Sequence, residues 1–200
     1  MLAIIFATVH IKGCNYSRAA YIQFKAKNRT DVVLMTTAIE PQEYRAAMRQ
    51  FPAAVHVATT NGIAGKRGIT VSAATSVSDR PATLLICVNR DHAQNHLFKD
   101  NGCFALNTLA ASQIDIARAF ADGKLSLDER FAHGEWLTLN TGAPCLNDAA
   151  AVFDCEIIDS AEMATHTVLY GQVKALRIGD GKANLLYANK HYHMLGPVLD

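Results

Sequence analysis

Three strand candidates follow one another between residues 53 and 89 with no room for a helix between them, and this spacing constrains the fold more than any other feature of the chain. AAVHVATT (53–60) alternates apolar and polar residues, Asn61-Gly62 is a hairpin signal, and GITVSAATSVS returns as the partner strand. PATLLICVN (81–89) is a nearly continuous apolar run of the kind covered on both faces, so it is expected to be central. A parallel connection needs a crossover of roughly a dozen residues or more. These neighbours are therefore antiparallel.

The rest of the chain keeps to that style. Behind Pro41, the residues Tyr44, Ala47, Met48 and Phe51 recur at helical spacing, which predicts an amphipathic helix over 41–51 ended by Pro52. HAQNHLFKD suggests a short helix stopped near Gly102, CFALNTLA (103–110) a strand, and SQIDIARAFADG a helix capped by Ser112 and closed by Gly123. Residues 124–148 carry Gly, Pro and Asn punctuation without a period and read as a long surface loop or lid. AAVFDCEIIDSAEMA and THTVLYGQVKALRI are two long strand candidates, GDGK (179–182) is a turn, and NLLYAN (184–189) is expected to be the last strand. The pattern predicts a mainly β fold with a few helices, a closed or partly closed antiparallel barrel rather than a doubly wound sheet.

With 200 residues, half of them hydrophobic, the chain can bury one sizeable core. Patterning starts at Met35, so 35–200 is expected to be the folded domain and 1–34 a peripheral extension. The apolar start MLAIIFATVHIKGC is too short to span a bilayer and lacks a basic lead and an A-x-A cleavage site. Lys12 also spoils a lipoprotein reading at Cys14. The five cysteines (Cys14, Cys87, Cys103, Cys145, Cys155) form no C-x-x-C pair, which fits a reducing compartment and a cytoplasmic location. A formal charge of +1 gives no broad attraction for nucleic acid or an anionic membrane.

No G-x-G-x-x-G or P-loop spacing is present. A phosphorylated ligand would have to be met by main-chain amides, hydroxyls and a nearby cation, and GKRGITVSAATSVS offers all three. The same residues could equally form a solvated sheet face. His92 and His96, and His191 and His193, lack a third ligand or H-E-x-x-H spacing, so no metal is expected. No nucleophile and base pair is visible either. That absence suits hydride transfer between two heteroaromatic rings, where the protein supplies stacking, distance and exclusion of water.

AAVHVATTNGIAGKRGITVSAATSVSDRPATLLICVNRDHAQNH, then FALNTLAASQ, ERF and THTVLYGQV with LLYANKHYHML, together resemble the flavin reductase family, whose fold is a Greek-key-like split β-barrel that binds FMN. Within it the chain looks most like the reductase components of 4-hydroxyphenylacetate 3-monooxygenase and of pyrimidine breakdown. The match runs from about Tyr44 to Leu195. The resemblance implies a homodimeric NAD(P)H:flavin oxidoreductase that reduces FMN or FAD with NADH or NADPH and passes reduced flavin to a separate monooxygenase. Carried over residue by residue, it implies flavin contacts from Lys66, Arg67, Gly68, Ile69, Thr70, Ser72, Ala73, Cys87, Val88, Asn89 and Phe120, with Ala93 and Gln94 near the phosphate. It implies a catalytic role for His166 toward the nicotinamide, and NAD(P)H contacts from Tyr187, Ala188, Asn189, Lys190 and Tyr192. Pro81-Ala82 stands where many relatives have two prolines, and some relatives place Ser or Arg at the positions of Ala93 and Gln94. A non-catalytic flavin carrier or sensor is the alternative. An oxidase of the pyridoxamine-phosphate kind would need more basic residues than Lys66 and Arg67 provide.

Overall fold

The computed structural model describes residues 39–180 and 183–195; the expected extension 1–34 and part of the expected turn at 179–182 lie outside them. The expected single strand 68–78 is broken. β2 (His56–Thr60) pairs with β3 (Arg67–Val71), but β4 (Ala74–Asp79) turns away to pair with β5 (Ala82–Asn89). Only Ser72 and Ala73 separate β3 from β4, yet these are the two outermost strands of a seven-stranded sheet, ordered β3, β2, β6 (Cys103–Thr108), β9 (Ala151–Met163), β10 (His166–Ile178), β5 and β4. Three Cα steps reach at most about 11 Å. Flat, such a sheet would hold its edges about 28 Å apart. The sheet therefore curls on itself, and the wall stays open where β3 and β4 part.

The barrel is completed by β6 (Cys103–Thr108) and two strands, β9 (Ala151–Met163) and β10 (His166–Ile178), each of 13 residues. Register shifts at Tyr170/Gly171 and Val173/Ala175 mark irregularities that bend this long pair around the core. Gly171 fits because a Cβ there would stand 2.5–2.8 Å from the Phe104 ring and Cys155 Cβ. The barrel interior is packed by Ala58, Ile69, Ile86, Val88, Phe98, Phe104, Leu106 and Leu169. Because β10 and β4 flank it, β5 lies one strand from the edge rather than at the centre. β2 is buried along its whole length, and His56, Thr59 and Thr60 stay inside because each polar group has a partner. Thr59 Oγ1 donates to Pro144 O, and Thr60 Oγ1 donates to Cys103 O at 2.8 Å.

A second core lies on the other face of β2 and β6, under the helices. A short 3-10 turn (Ala111–Gln113) leads into α3 (Ile114–Ala121). Ser112 does not cap it; Gln113 Oε1 instead accepts from Ala110 N at 2.8 Å. The segment 124–148 is not a plain loop, since it holds α4 (Leu127–Phe131) and the hairpin of β7 (Trp136–Thr138) with β8 (Pro144–Leu146). Asp154 fastens this insertion from β9, accepting Asn140 N (2.6 Å), Thr141 N (2.8 Å) and the Thr141 hydroxyl. Asn107 fastens it from β6, accepting Leu146 N at 2.7 Å and donating to Val57 O at 3.0 Å.

The remaining elements differ from expectation at their ends. α1 (Pro41–Met48) starts on Pro41 but stops three residues short of Phe51 and buries none of its residues. α2 covers only Leu97–Asn101 and ends at Gly102, whose φ of 69° is left-handed. The expected last strand is followed by another: β11 (Leu185–Ala188) and β12 (His191–Met194) form a hairpin that, with β1 (Ala53–Ala54), makes a three-stranded sheet. Among the described residues no helix is long and apolar enough to cross a membrane.

Two outcomes follow from this packing. Burial pushes the pKa of His56 down to about 4, while the unfolded chain holds that proton near 6.5. The contribution of neutral His56 is thus complete above about pH 6.5 and is lost as pH falls toward 4, on the order of 3 kcal/mol in all. Urea midpoints measured from pH 7 down to 4 should fall, and H56Q should flatten that slope. At Gly68 an added Cβ would overlap Phe120 Cε1 and stand 2.7 Å from Phe120 Cδ1 and 3.2 Å from Phe131 Cζ. G68A should therefore cost about 1–3 kcal/mol of stability, read from the same melts.

Candidate functional site

The opening of the barrel wall is a cleft of about 340 Å³. β3 supplies Arg67, Ile69, Thr70 and Val71, the link supplies Ser72 and Ala73, and β5 supplies Cys87 and Asn89. His92 and Asn95 close it from the loop after β5, Phe120, Ala121 and Gly123 from the end of α3, Arg130 from α4, and His166 from the first residue of β10. Thr70 Oγ1 donates to Ala117 O at 2.7 Å, which ties the edge strand β3 to the helix above it.

Charge distinguishes this cleft from an ordinary surface groove. Arg67 is 5% exposed and Arg130 is 4% exposed, and among the described residues neither makes an ion pair. Among the described residues no Asp or Glu lines the cleft. Arg67 is fixed by neutral partners, donating from Nε to Asn95 Oδ1 (3.2 Å) and from Nη1 to Gln94 Oε1 (3.4 Å). Arg130 donates to three carbonyls, Leu125 O (3.2 Å), Gly68 O (3.5 Å) and Asp122 O (2.7 Å). Burial, and then the charge of Arg130, pull the Arg67 guanidinium below its usual pKa. Two buried cations that repel each other and lack a carboxylate are suited to an anion.

Nine residues expected from the sequence meet here: Arg67, Ile69, Thr70, Ser72, Ala73, Cys87, Asn89, Phe120 and His166. Burial pushes the Cys87 thiol up, so it is not a ready nucleophile. Asn89 shapes the following loop, its side chain accepting from Asp91 N (2.8 Å) and its carbonyl from Asn95 Nδ2 (2.9 Å). Others stand behind the wall. Lys66 Nζ sits 3.7 Å from the Phe131 ring centroid, Gly68 faces Phe120 and Phe131, and Val88 points into the barrel core. Gln94 orients Arg67, and Ala93 lines a smaller adjoining cleft of about 230 Å³. The hydroxyl-rich stretch is divided too: Thr70 and Ser72 reach the cleft, whereas Thr75, Ser76 and Ser78 lie on β4 away from it.

Tyr187, Ala188, Asn189, Lys190 and Tyr192 are not among the residues lining the cleft. They form the β11–β12 hairpin, with Asn189 and Lys190 at left-handed φ in its turn and the Tyr187 and Tyr192 rings edge-on at 5.2 Å. The cleft residues that sequence reasoning missed are Val71, His92, Asn95, Ala121, Gly123 and Arg130. Arg130 had a signal. Ser126-Leu-Asp-Glu129 is a capping box, realised as Glu129 N to Ser126 Oγ (3.3 Å) and Ser126 N to Glu129 Oε2 (2.7 Å). It starts the helix that carries Arg130 inward. Among the described residues no cluster of three or more His, Cys, Asp or Glu could hold a metal.

Known proteins share this architecture. Residues 48–196 match the flavin reductase like domain. FMN reductase (NADH) RutF of Acinetobacter baylyi is 46% identical over 154 residues, covering 77% of this chain and 81% of that protein. The NADH:FAD oxidoreductase SgcE6 of Streptomyces globisporus, solved in complex with NAD and FAD fragments, matches with a TM-score of 0.73 at 29% identity over 82% of this chain and 100% of that one. BorF, the flavin reductase component of a bacterial two-component tryptophan halogenase, matches with a TM-score of 0.73 at 26% identity over 80% of this chain and 100% of that one. With most of its length inside that domain and its cleft at the opening of the antiparallel wall, the chain belongs to the flavin reductase family and carries its split-barrel fold.

Proposed function

We propose that this chain is an NADH-dependent FMN reductase that releases reduced flavin to a separate monooxygenase. The observation that carries the reading is the pair of buried guanidiniums, Arg67 and Arg130, facing a cleft without carboxylates: they suit the phosphate of FMN. When bound, the flavin and the nicotinamide would supply the redox chemistry, a hydride transfer from one ring to the other. The chain binds, orients and shields. Ser72 offers a hydroxyl and Thr70 a hydroxyl oxygen along the edge strand, Phe120 covers one side, and His166, the first residue of β10, lines the cleft and is assigned to the nucleotide. Lys66, Gly68 and Val88 contribute indirectly by shaping that wall, and the β11–β12 hairpin offers Tyr187 and Tyr192 for the nucleotide. FAD as a flavin substrate and NADPH as a donor are further parts of the proposal. The working form is a cytoplasmic homodimer whose domain spans 35–200, and the exposed Leu176 and Ile178, two apart on β10, offer it apolar surface.

Purified protein mixed with FMN and NADH without oxygen should lose absorbance at both the nicotinamide and flavin bands, and repeating this with FAD, riboflavin and NADPH ranks the substrates. Tight retention of flavin through purification with no NADH oxidation would instead identify a carrier. R67Q should weaken FMN binding about ten- to a hundredfold, the size of a charge-assisted contact, and leave riboflavin binding nearly unchanged. Quenching of the single tryptophan, Trp136, whose ring lies 5.3 Å from that of Phe120, reports both affinities.

A further inference from the structure

The tip of the β9–β10 hairpin is held more firmly than a two-residue turn requires. Ala164 adopts a left-handed φ of 47°, and its carbonyl accepts from Arg90 Nη1 at 3.4 Å. The Thr165 carbonyl accepts from Arg90 N at 2.9 Å, and Arg90 Nη2 lies 3.1 Å from Glu162 Oε2 on the descending strand. An exposed ion pair of this kind contributes little alone. Here three contacts converge from one residue, which directly follows Asn89, the register partner of His166. The end of β5 and the start of β10 are thereby fastened together at the mouth of the cleft.

On the other side of the tip, Thr165 Oγ1 lies 2.9 Å from His166 Nδ1. With Nδ1 engaged, Nε2 is the ring atom left for a ligand in the cleft that His166 lines. Thr165 Oγ1 has no other hydrogen-bond partner among the described residues, so its proton is available to Nδ1. A neutral imidazole that accepts at Nδ1 carries its own proton on Nε2. We propose that Thr165 and Arg90 are positioning residues for His166, holding its imidazole at the cleft mouth as an Nε2–H donor toward the nicotinamide nucleotide. The ligand named here rests on the reductase reading above; the ring geometry does not.

Two measurements on the full chain test this. Proton–nitrogen correlation spectra of the neutral ring should give the Nε2–H tautomer for His166 in the native protein and in T165S, and a mixture in T165V. In steady-state assays T165V should raise KM for NADH about three- to tenfold, the size of one neutral hydrogen bond, while FMN affinity without nucleotide moves less than about twofold. T165S should restore the native KM, and R90A should shift KM in the same direction as T165V. An Nδ1–H tautomer in the native protein overturns the proposal. So does a T165V protein matching the native one in both readouts, or a T165S protein no better than T165V. If the native chain oxidises no NADH with FMN, the reductase reading falls, and the tautomer alone decides the positioning claim.

Discussion

A link of two residues between the outermost strands of a seven-stranded sheet is the constraint on which the rest depends. Ser72 and Ala73 force the sheet to curl, and the wall stays open beside them because β3 pairs with β2 while β4 turns away to pair with β5. The cleft is the product of this geometry rather than a separate feature. β3 keeps an edge without a strand partner among the described residues, which leaves its backbone groups, and the Ser72 hydroxyl in the link beyond it, to face a ligand. Closer to the link, Cys87 N donates to Ala73 O at 2.9 Å, so the opening is seamed at one end.

An open wall beside two buried cations would be a weak point if nothing supported it. Support comes from the insertion between α3 and β9. Phe131 packs edge-on against Phe120 at 5.0 Å and against Trp136 at 4.9 Å, and the same helix turn delivers Arg130. The Phe120 and Phe131 rings rest directly on Gly68 of the edge strand, where an added Cβ would meet both. Asn107 and Asp154, neither with any exposed surface, hold the far end of the insertion through backbone amides. Buried polar groups satisfied this fully fix one arrangement of the segment, which an apolar contact alone would leave free to slide.

The fold class was legible because strand spacing leaves no room for crossovers, and the short connections made antiparallel pairing the only economical reading. Partner choice was not legible. GITVSAATSVS has one continuous alternation, and periodicity tells which residues share a face but not where a strand changes neighbours. The β12 strand escaped because His191-Tyr192-His193-Met194 is short and contains no β-branched residue. The insertion looked like a loop because its elements are only three to five residues long, below the length at which a period shows, although its capping box could be read directly. At the site, position along β3 and β5 was legible while side-chain direction was not: Cys87 and Asn89 face the cleft and Val88 between them faces the core, a distinction that follows from pleat alternation once one of the three is placed.

Arg67 and Arg130 show why a site of this kind needs its surroundings so tightly specified. A guanidinium moved out of water without a counter-charge costs several kcal/mol, and a second one nearby adds repulsion. Neutral partners, Gln94 and Asn95 on one side and three carbonyls on the other, satisfy their N–H groups without cancelling their charge. A carboxylate in either place would have stabilised the empty fold more and would have neutralised the attraction for an anion. Choosing amides and carbonyls instead leaves the positive potential intact and directs it into the cleft, so stability forgone in the empty protein is recovered when an anionic ligand arrives. That differential is what binding energy consists of. It also explains the absence of acids from the lining: any one of them would act against the two cations that the insertion and the edge strand are built to hold.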